Sequence, residues 1–397
     1  MLIAKLWESV FFFSCLIVFY NYAGYALLAV LLSVGRRRRK TIVPDEAALP
    51  SVSFIVAAFN EEGCIAKKIH NSLAQQYPRD KIEFIFVTDG SSDKTPAIVA
   101  GHAAIRLLHE PRRSGKSAAI NRAVAAASSD ILIFSDANTE LNKDAVLLIA
   151  RHYADAKVGG VAGEKKVISM EGGAGQHGEG EGMYWKYESL LKRIDSDCYS
   201  VVGAAGELFS LRKHLYSELP ANIILDDFVL SLRAAQQGFR IIYEPGAFAM
   251  ELPSFSYREE QKRKVRIAAG GFQSILLLRG LLLFWRHPRL SFLYISHRVL
   301  RWAVSPLCLV LAFVSNLALC FVTDKLSFKI IFGFQLVFYG MALVARFAAV
   351  KNKLFKVPYY FTFMNVSVIL GFFRFLGGRQ SAVWEKARRA ETGVAAE

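Results

Sequence analysis

ILIFSDANTEL, residues 131–141, decides the fold. An apolar, β-branched run ends in an acid, and Asp136-Ala137-Asn138 leaves it with two oxygen ligands one residue apart. VTDGSSDKT (87–95) repeats the pattern, with Asp89 behind a strand-like run. ILDDFVLSLRAAQQGFR (224–240) adds Asp226-Asp227 at the head of a helix pattern. Acids at the carboxyl ends of strands lie where open α/β sheets bind ligands.

Outward from these stretches, strand-like and helical patterns alternate. Residues 52–59 read as a strand ending in Asn60-Glu61-Glu62-Gly63, and further strands are expected at 82–88, 104–109 and 131–135. Helix patterns follow Gly63 and cover 116–127, so a parallel-sheet nucleotide fold is expected. Residues 172–182 (GGAGQHGEGEG) are glycine-rich and polar and read as a mobile loop, with a helix over 183–194 behind it. Another helix is expected over 226–237, with acids at its start and Gly238 as its stop.

Each acid has a structural and a chemical reading. Asp136 or Asn138 can cap the next helix; as ligands, the two can grip one side of a hydrated Mg²⁺ or Mn²⁺ while a diphosphate supplies the rest. Asp226-Asp227 complement a helix dipole, or place a general base within reach of a hydroxyl. Asp89 before Gly90 is a good turn former. Arg112-Arg113-Ser114-Gly115-Lys116-Ser117 resembles half of a phosphate-binding loop. Glu110 stands where the first glycine of that loop is needed, which excludes a P-loop NTPase. Lys116 at a helix start can still meet a phosphate. Lys262-Arg263-Lys264-Arg266 can meet a departing diphosphate or anionic lipid.

A mean hydropathy of +0.28 is high for a soluble chain and directs attention to membrane spans. Residues 10–34 carry no charge. At about 1.5 Å per residue they exceed the roughly 30 Å hydrocarbon core. Arg36-Arg37-Arg38-Arg39-Lys40 then marks the cytoplasmic end by the positive-inside rule, and its position argues against a signal peptide. Residues 302–323 and 330–345, the latter extended past a snorkelling Arg346, read as a hairpin that returns at Lys351, Lys353 and Lys356. Residues 357–373 either span, leaving Arg379, Lys386, Arg388 and Arg389 outside, or lie tilted and re-entrant. Between 270 and 297, basic residues interrupt the apolar ones, as in helices lying in the interface. The net charge of +15 sits mostly beside these segments, which fits lipid contact; no basic helix or aromatic–basic motif points to nucleic acid. The five cysteines lack metal-type spacing and fit a reduced, cytoplasmic domain.

With these motifs in order, the chain resembles membrane-bound family 2 glycosyltransferases, from about residue 51 to 270 and in its membrane layout. VSFIVAAFNEE (52–62) looks like the family's opening strand, with Glu61 in the place of its nucleotide-contacting acid. By the same resemblance Asp89 contacts the base or ribose, and Lys116 and Asn121 of GKSAAINRA (115–123) line the donor pocket. SDAN stands at the family's Asp-x-Asp, so Asp136 faces the donor and Asn138 takes the metal-ligand position. VVGAAGELFSLRK (201–213) resembles the acceptor-side glycine block, with Gly203 and Gly206. Asp227 matches the catalytic Asp of a Glu-Asp pair whose Glu is here Asp226. Arg263-x-x-Arg266-Ile267 resembles the (Gln/Arg)-x-x-Arg-Trp element. Thr88, Asn138 and Ile267 depart from the pattern, and the last replaces a Trp that forms part of the acceptor floor in processive relatives.

The resemblance implies an α/β GT-A-type nucleotide-diphospho-sugar transferase domain with a Rossmann-like mixed sheet, flanked by transmembrane helices. The expected division is an N-terminal anchor over 1–40, a cytoplasmic catalytic domain over 41–270, interfacial helices over 271–301, membrane segments over 302–378 and a polar tail over 379–397. It implies an inverting, Mg²⁺- or Mn²⁺-dependent transfer from a UDP-sugar to a saccharide or glycolipid acceptor, at a bacterial inner membrane, alongside other synthase or export subunits. Asp227 would be the base, with Arg266, assisted by Lys116, on the diphosphate and Arg263 on the acceptor side. Single transfer to a lipid or polyprenyl-phosphate acceptor is the alternative within the class. A non-catalytic nucleotide- or lipid-binding subunit is the alternative outside it.

Overall fold

The computed structural model describes residues 1–33, 46–168, 175–254, 256–347 and 352–378. The basic cluster at 36–40, Lys351 and the basic tail residues from Arg379 onward lie outside them.

Helices α1 (Leu2–Phe19) and α2 (Tyr25–Ser33) are joined by a π-helical turn into one apolar helix, Leu2–Ser33. One mixed sheet follows. Its strands are β1 (Val52–Ala58), β2 (Ile82–Asp89), β3 (Arg106–Glu110), β4 (Ile131–Asp136), β5 (Glu140–Leu141), β6 (Val158–Val167), β7 (Leu208–Arg212) and β8 (Arg240–Glu251), in the order β3-β2-β1-β4-β7-β6-β8-β5. The first four are parallel, and β7 runs antiparallel to both β4 and β6. Every residue of β1 is buried, as an apolar run covered on both faces must be. The register sets Ala57 beside Asp136 and Asp89 beside Glu110. Both acids thus end their strands on one edge of the sheet, with β1 between them.

The domain's helices are α3 (Ile65–Leu73), α4 (Thr95–Ala100), α5 (Lys116–Ala126), α6 (Ala145–Ala150), α7 (Gly175–Cys198), α8 (Asp226–Gln236) and α9 (Tyr257–Leu277). Apolar residues of α3, α4 and α6 form the core on one face of the sheet, and those of α5, α7 and α8 on the other. The expected loop over 172–182 is corrected from Gly175 onward, where α7 has already begun; residues 172–174 lie outside the described set. Extending a helix costs far less than starting one. A long helix anchored through Leu191 and Ile194 can therefore carry poor helix formers at its amino end.

Helix α9 runs without a break through residue 270, so Arg263, Arg266 and Ile267 share one rod with the apolar residues behind them. Then α10 (Pro288–Tyr294), a π-helical stretch (Ile295–Val304) and α11 (Ser305–Val322) form the continuous helix Pro288–Val322. Helices α12 (Leu326–Phe347) and α13 (Lys353–Leu376) complete the described chain. Among the described residues, four helices are long and apolar enough to cross a membrane: Leu2–Ser33, Pro288–Val322, Leu326–Phe347 and Leu354–Leu376. The last also packs along α9. A Cβ on Gly371 would lie 3.0 Å from Ala269 N and Val265 O, and Tyr359 and Phe372 meet Tyr257 and Phe272, each at 5.1 Å between ring centres.

A buried polar cluster locks the apolar helices to the domain. Tyr25 of α2 donates to Asp195 of α7, whose other oxygen meets His297 Nδ1 at 2.6 Å. Glu188 of α7 pairs with Arg298 and Arg301. Such a cluster tolerates few alternative arrangements, because any lost partner leaves a buried charge.

Candidate active site

The site forms where β1 and β4 end and α5 and α8 begin. Gly115, at φ +98°, ends the loop that delivers Lys116 to the first position of α5. Lys116 Nζ reaches Asp136 Oδ1 at 2.9 Å. Asp226 and Asp227 occupy the first turn of α8. Gly206 lies under the meeting point: a Cβ there would be 3.5 Å from both Asp227 Oδ2 and Lys116 Nζ. A small residue lets these charges converge. Gly203 has a different duty. Its φ is +85°, and a Cβ would run into the Phe228 ring. Ala204 N–H donates to Ser231 Oγ at 3.0 Å, which pins the glycine block to α8 beside Asp227.

A cleft of about 250 Å³ opens among Ile55, Lys116, Phe134, Asp136, Gly206 and Asp226. A second, also of about 250 Å³, adjoins it between Phe59, Asp89, Arg113 and Gly115 and shares Ala57 and Lys116. Burial and the neighbouring Asp226 carboxylate push the Asp227 carboxyl up to about 8, against the opposing pull of Lys116. Burial likewise raises the Asp136 carboxyl, with Glu207 and Glu251 adding to the effect and Lys116 resisting it. Burial lowers the Lys116 ammonium, but Asp136 first, then Asp226 and Asp227, outweigh burial and raise it.

Asp136 and Asn138 suit a cation shared with a ligand better than a self-sufficient metal centre. Among the described residues no group of three or more His, Cys, Asp or Glu could hold a metal. Asn138 Nδ2 faces Glu251 Oε1 at 3.3 Å, which leaves its amide oxygen as the ligand atom. Burial raises the Asp136 carboxyl, with Glu207 and Glu251 adding to the effect, and a bound cation would favour its ionised form. One carboxylate and one amide oxygen, completed by phosphate oxygens and water, is ordinary for Mg²⁺ or Mn²⁺.

Other residues singled out in the sequence take supporting places. Asp89 Oδ2 accepts from the N–H groups of Ser114 (2.9 Å) and Gly115 (2.6 Å), and Oδ1 from Arg122 (2.9 Å). Asn121 donates to Leu219 O at 2.9 Å and accepts from Tyr216 Oη and Leu219 N, so it buttresses the 216–219 loop. Glu61 is buried; its N–H donates to Thr95 Oγ1 and its carboxylate accepts from Cys64 Sγ. Arg263 pairs with Glu260 at 3.2 Å and approaches Glu251 at 3.7 Å. Arg266 follows three residues later, on the same side of α9.

Sequence reasoning missed four residues here. Lys165, buried on β6, pairs with both Glu207 and Glu251, and so joins the glycine block, β8 and the Asn138 turn. Lys165 holds the Glu207 carboxyl well below its ordinary range despite burial. The fourth is Lys68 on α3, a lysine in a buried helical stripe, and that misplacement was a readable signal.

Residues 53–219 match the family model described as Glycosyl transferase family 2. A poly-beta-1,6-N-acetyl-D-glucosamine synthase of Staphylococcus aureus is 26% identical over 235 residues, 57% of this chain and 56% of that protein. A beta-monoglucosyldiacylglycerol synthase of Trichormus variabilis is 31% identical over 171 residues, 42% of this chain and 35% of that one. The chain thus spans about half the length, or less, of these curated relatives. A mannosyltransferase from Pyrobaculum calidifontis, solved in complex with GDP-Man and Mn²⁺, superposes with a TM-score of 0.72 at 22% identity, covering 94% of this chain and 99% of that one. That likeness shows the fold. Residues 53–219 and the mixed sheet built around them therefore form a family 2 glycosyltransferase domain of the GT-A type, flanked by helices apolar enough to cross a membrane.

Proposed function

We propose that the protein is an inverting glycosyltransferase that moves a sugar from a nucleotide-diphospho-sugar to a saccharide acceptor in cell-surface or extracellular polysaccharide synthesis. One observation carries this reading: Asp227 and Lys116 converge over Gly206, and Lys116 is bonded to Asp136 at the strand edge.

Asp227 takes the proton of an acceptor hydroxyl. Its raised carboxyl makes it a stronger base than an ordinary aspartate. The hydroxyl oxygen bonds to the anomeric carbon from the face opposite the nucleotide, and the bond from that carbon to the diphosphate breaks. Lys116 and Arg266 receive the negative charge that departs. Asp136 and Asn138 would hold Mg²⁺ or Mn²⁺, which supplies further neutralisation of the diphosphate. Glu61, Asp89 and Asn121 shape the donor cleft, Asp89 by fixing the 114–115 backbone. Gly203, Gly206, Asp226 and Arg263 form the acceptor side.

A UDP-hexose or UDP-N-acetylhexosamine is the proposed donor, with a cytoplasmic catalytic domain on a bacterial inner membrane. The division at 40, 270, 301 and 378 belongs to the same reading. The S. aureus relative is named for a hexosamine polymer, which supports a polysaccharide product. Ile267 at the Trp position and the glycolipid synthase among the relatives favour a second reading, single transfer to a lipid-linked acceptor.

Nucleotide release by the detergent-solubilised protein tests the proposal, with a panel of UDP-, GDP- and dTDP-sugars and Mn²⁺ or Mg²⁺. Release from one donor, lost in Asp227→Asn, is expected, and product length on a defined acceptor then separates polymer from single transfer. Binding without turnover, with every donor, acceptor and metal offered, would instead support a non-catalytic subunit.

A further inference from the structure

Helix α3 carries a lysine where its buried stripe calls for an apolar side chain. Ile65, Lys68, Ile69 and Ser72 are its buried residues, and Lys68 is 2% exposed. The Lys68 ammonium donates to Ser135 Oγ at 2.7 Å, to Thr139 O at 3.0 Å and to Thr139 Oγ1 at 3.2 Å. An ammonium has three N–H groups, and these bonds occupy them. All go to the two residues that bracket Asp136-Ala137-Asn138.

The acceptors are themselves tied into the turn. Thr139 Oγ1 donates to Asp136 O at 2.9 Å, and Ser135 Oγ donates to Glu207 O at 3.1 Å. No ion pair to Lys68 is formed among the described residues; the Asp136 carboxylate favours its charge from a distance, while all three of its hydrogen bonds go to the turn. Desolvation pulls its pKa down to about 7, so the fold bears a cost that methionine, similar in length, would not impose.

We propose that Lys68 is a positioning residue: it fixes the turn that presents Asp136 and Asn138 to a divalent cation on the donor diphosphate, while touching neither ligand. This rests on the transferase reading above.

The test is Mn²⁺ titration of the full-length, detergent-solubilised protein, followed by electron paramagnetic resonance, with UDP present and with GDP in a parallel series. Metal-free nucleotide affinity is measured alongside by calorimetry. Lys68→Met is expected to weaken Mn²⁺ binding to the nucleotide-loaded protein about 10–100-fold, the range for lost support behind a metal ligand. Metal-free affinity should stay within about twofold, because the cleft at Phe59 and Asp89 does not include the turn. Thr139→Val keeps the ammonium and removes one of its acceptors. It serves if Lys68→Met does not fold, and should weaken Mn²⁺ binding about 10-fold. Unchanged Mn²⁺ affinity in the folded variants would overturn the proposal. So would a parallel loss of metal-free binding, which marks a general structural role. A wild type that takes neither nucleotide, with or without Mn²⁺, would instead overturn the transferase reading, and this inference with it.

Discussion

The end of β2 sets Asp89 in one of the two adjoining clefts, the first turn of α8 sets Asp227 beside the other, and the two carboxylates are treated in opposite ways. Asp89 accepts two backbone N–H groups and an arginine, so both oxygens are committed to holding the loop before α5. Asp227 has a second carboxylate beside it, and Lys116 only partly offsets that repulsion and the burial. The contrast teaches that a buried acid at a strand end is not by itself chemical machinery. What distinguishes Asp227 is that its charge is poorly compensated, and a proton from a bound hydroxyl would complete it.

The largest effect that tests this contrast is on turnover. Asp227→Asn should lower kcat by about 10²–10⁴-fold, the usual range for a positioned base, while nucleotide affinity stays within about twofold. Steady-state rates and calorimetry on the same preparation check both halves. Lys116→Met should cost about 10²–10³-fold in kcat, comparable to removing one donor from a developing anion, and should weaken diphosphate binding. Asp89→Asn should behave differently. Its amide group would confront the Ser114, Gly115 and Arg122 donors, so the donor KM should rise about tenfold and the melting temperature fall by several degrees, with kcat nearly kept. A collapse of kcat with unchanged stability would erase the distinction between the two acids.

The smallest effect concerns stability against pH. Asp227's carboxyl is higher in the folded state than the ordinary 3.8, so the folded protein binds more protons than the unfolded chain between about pH 4 and 8. This contribution to stability is fully present below about pH 4 and is lost as the pH rises through about 8. Asn cannot ionise, so Asp227→Asn keeps the low-pH state and removes the loss. The variant should therefore melt above the wild type at pH 8 and close to it at pH 4, as paired calorimetric scans would show.

The sequence was informative where local rules act. The apolar runs before Asp89 and Asp136 place both acids at strand ends, and β2 and β4 end on them. Charge-free runs announce the long apolar helices, and the acids of α8 mark its first turn. Partnerships across the fold were not legible. Nothing near Asn121 foretells its bonds to Tyr216 and Leu219, 95 and 98 residues away. The Lys165 link to Glu207 and Glu251 joins β6, β8 and the turn before β7, which meet only in the finished sheet. Helix α7 begins inside a glycine-rich stretch because its later turns are packed, a tertiary cause that propensity does not register.

The pH dependence of single-turnover transfer tests the account of Asp227 most directly, comparing the wild type with Asp226→Asn. The account predicts a wild-type rate that rises with pH through about 8, as the base loses its proton. In Asp226→Asn the rise should occur at lower pH, because the neighbouring charge is gone. A wild-type rate that is flat from pH 6 to 9, or a rise that stays in place when Asp226 is neutralised, would contradict it.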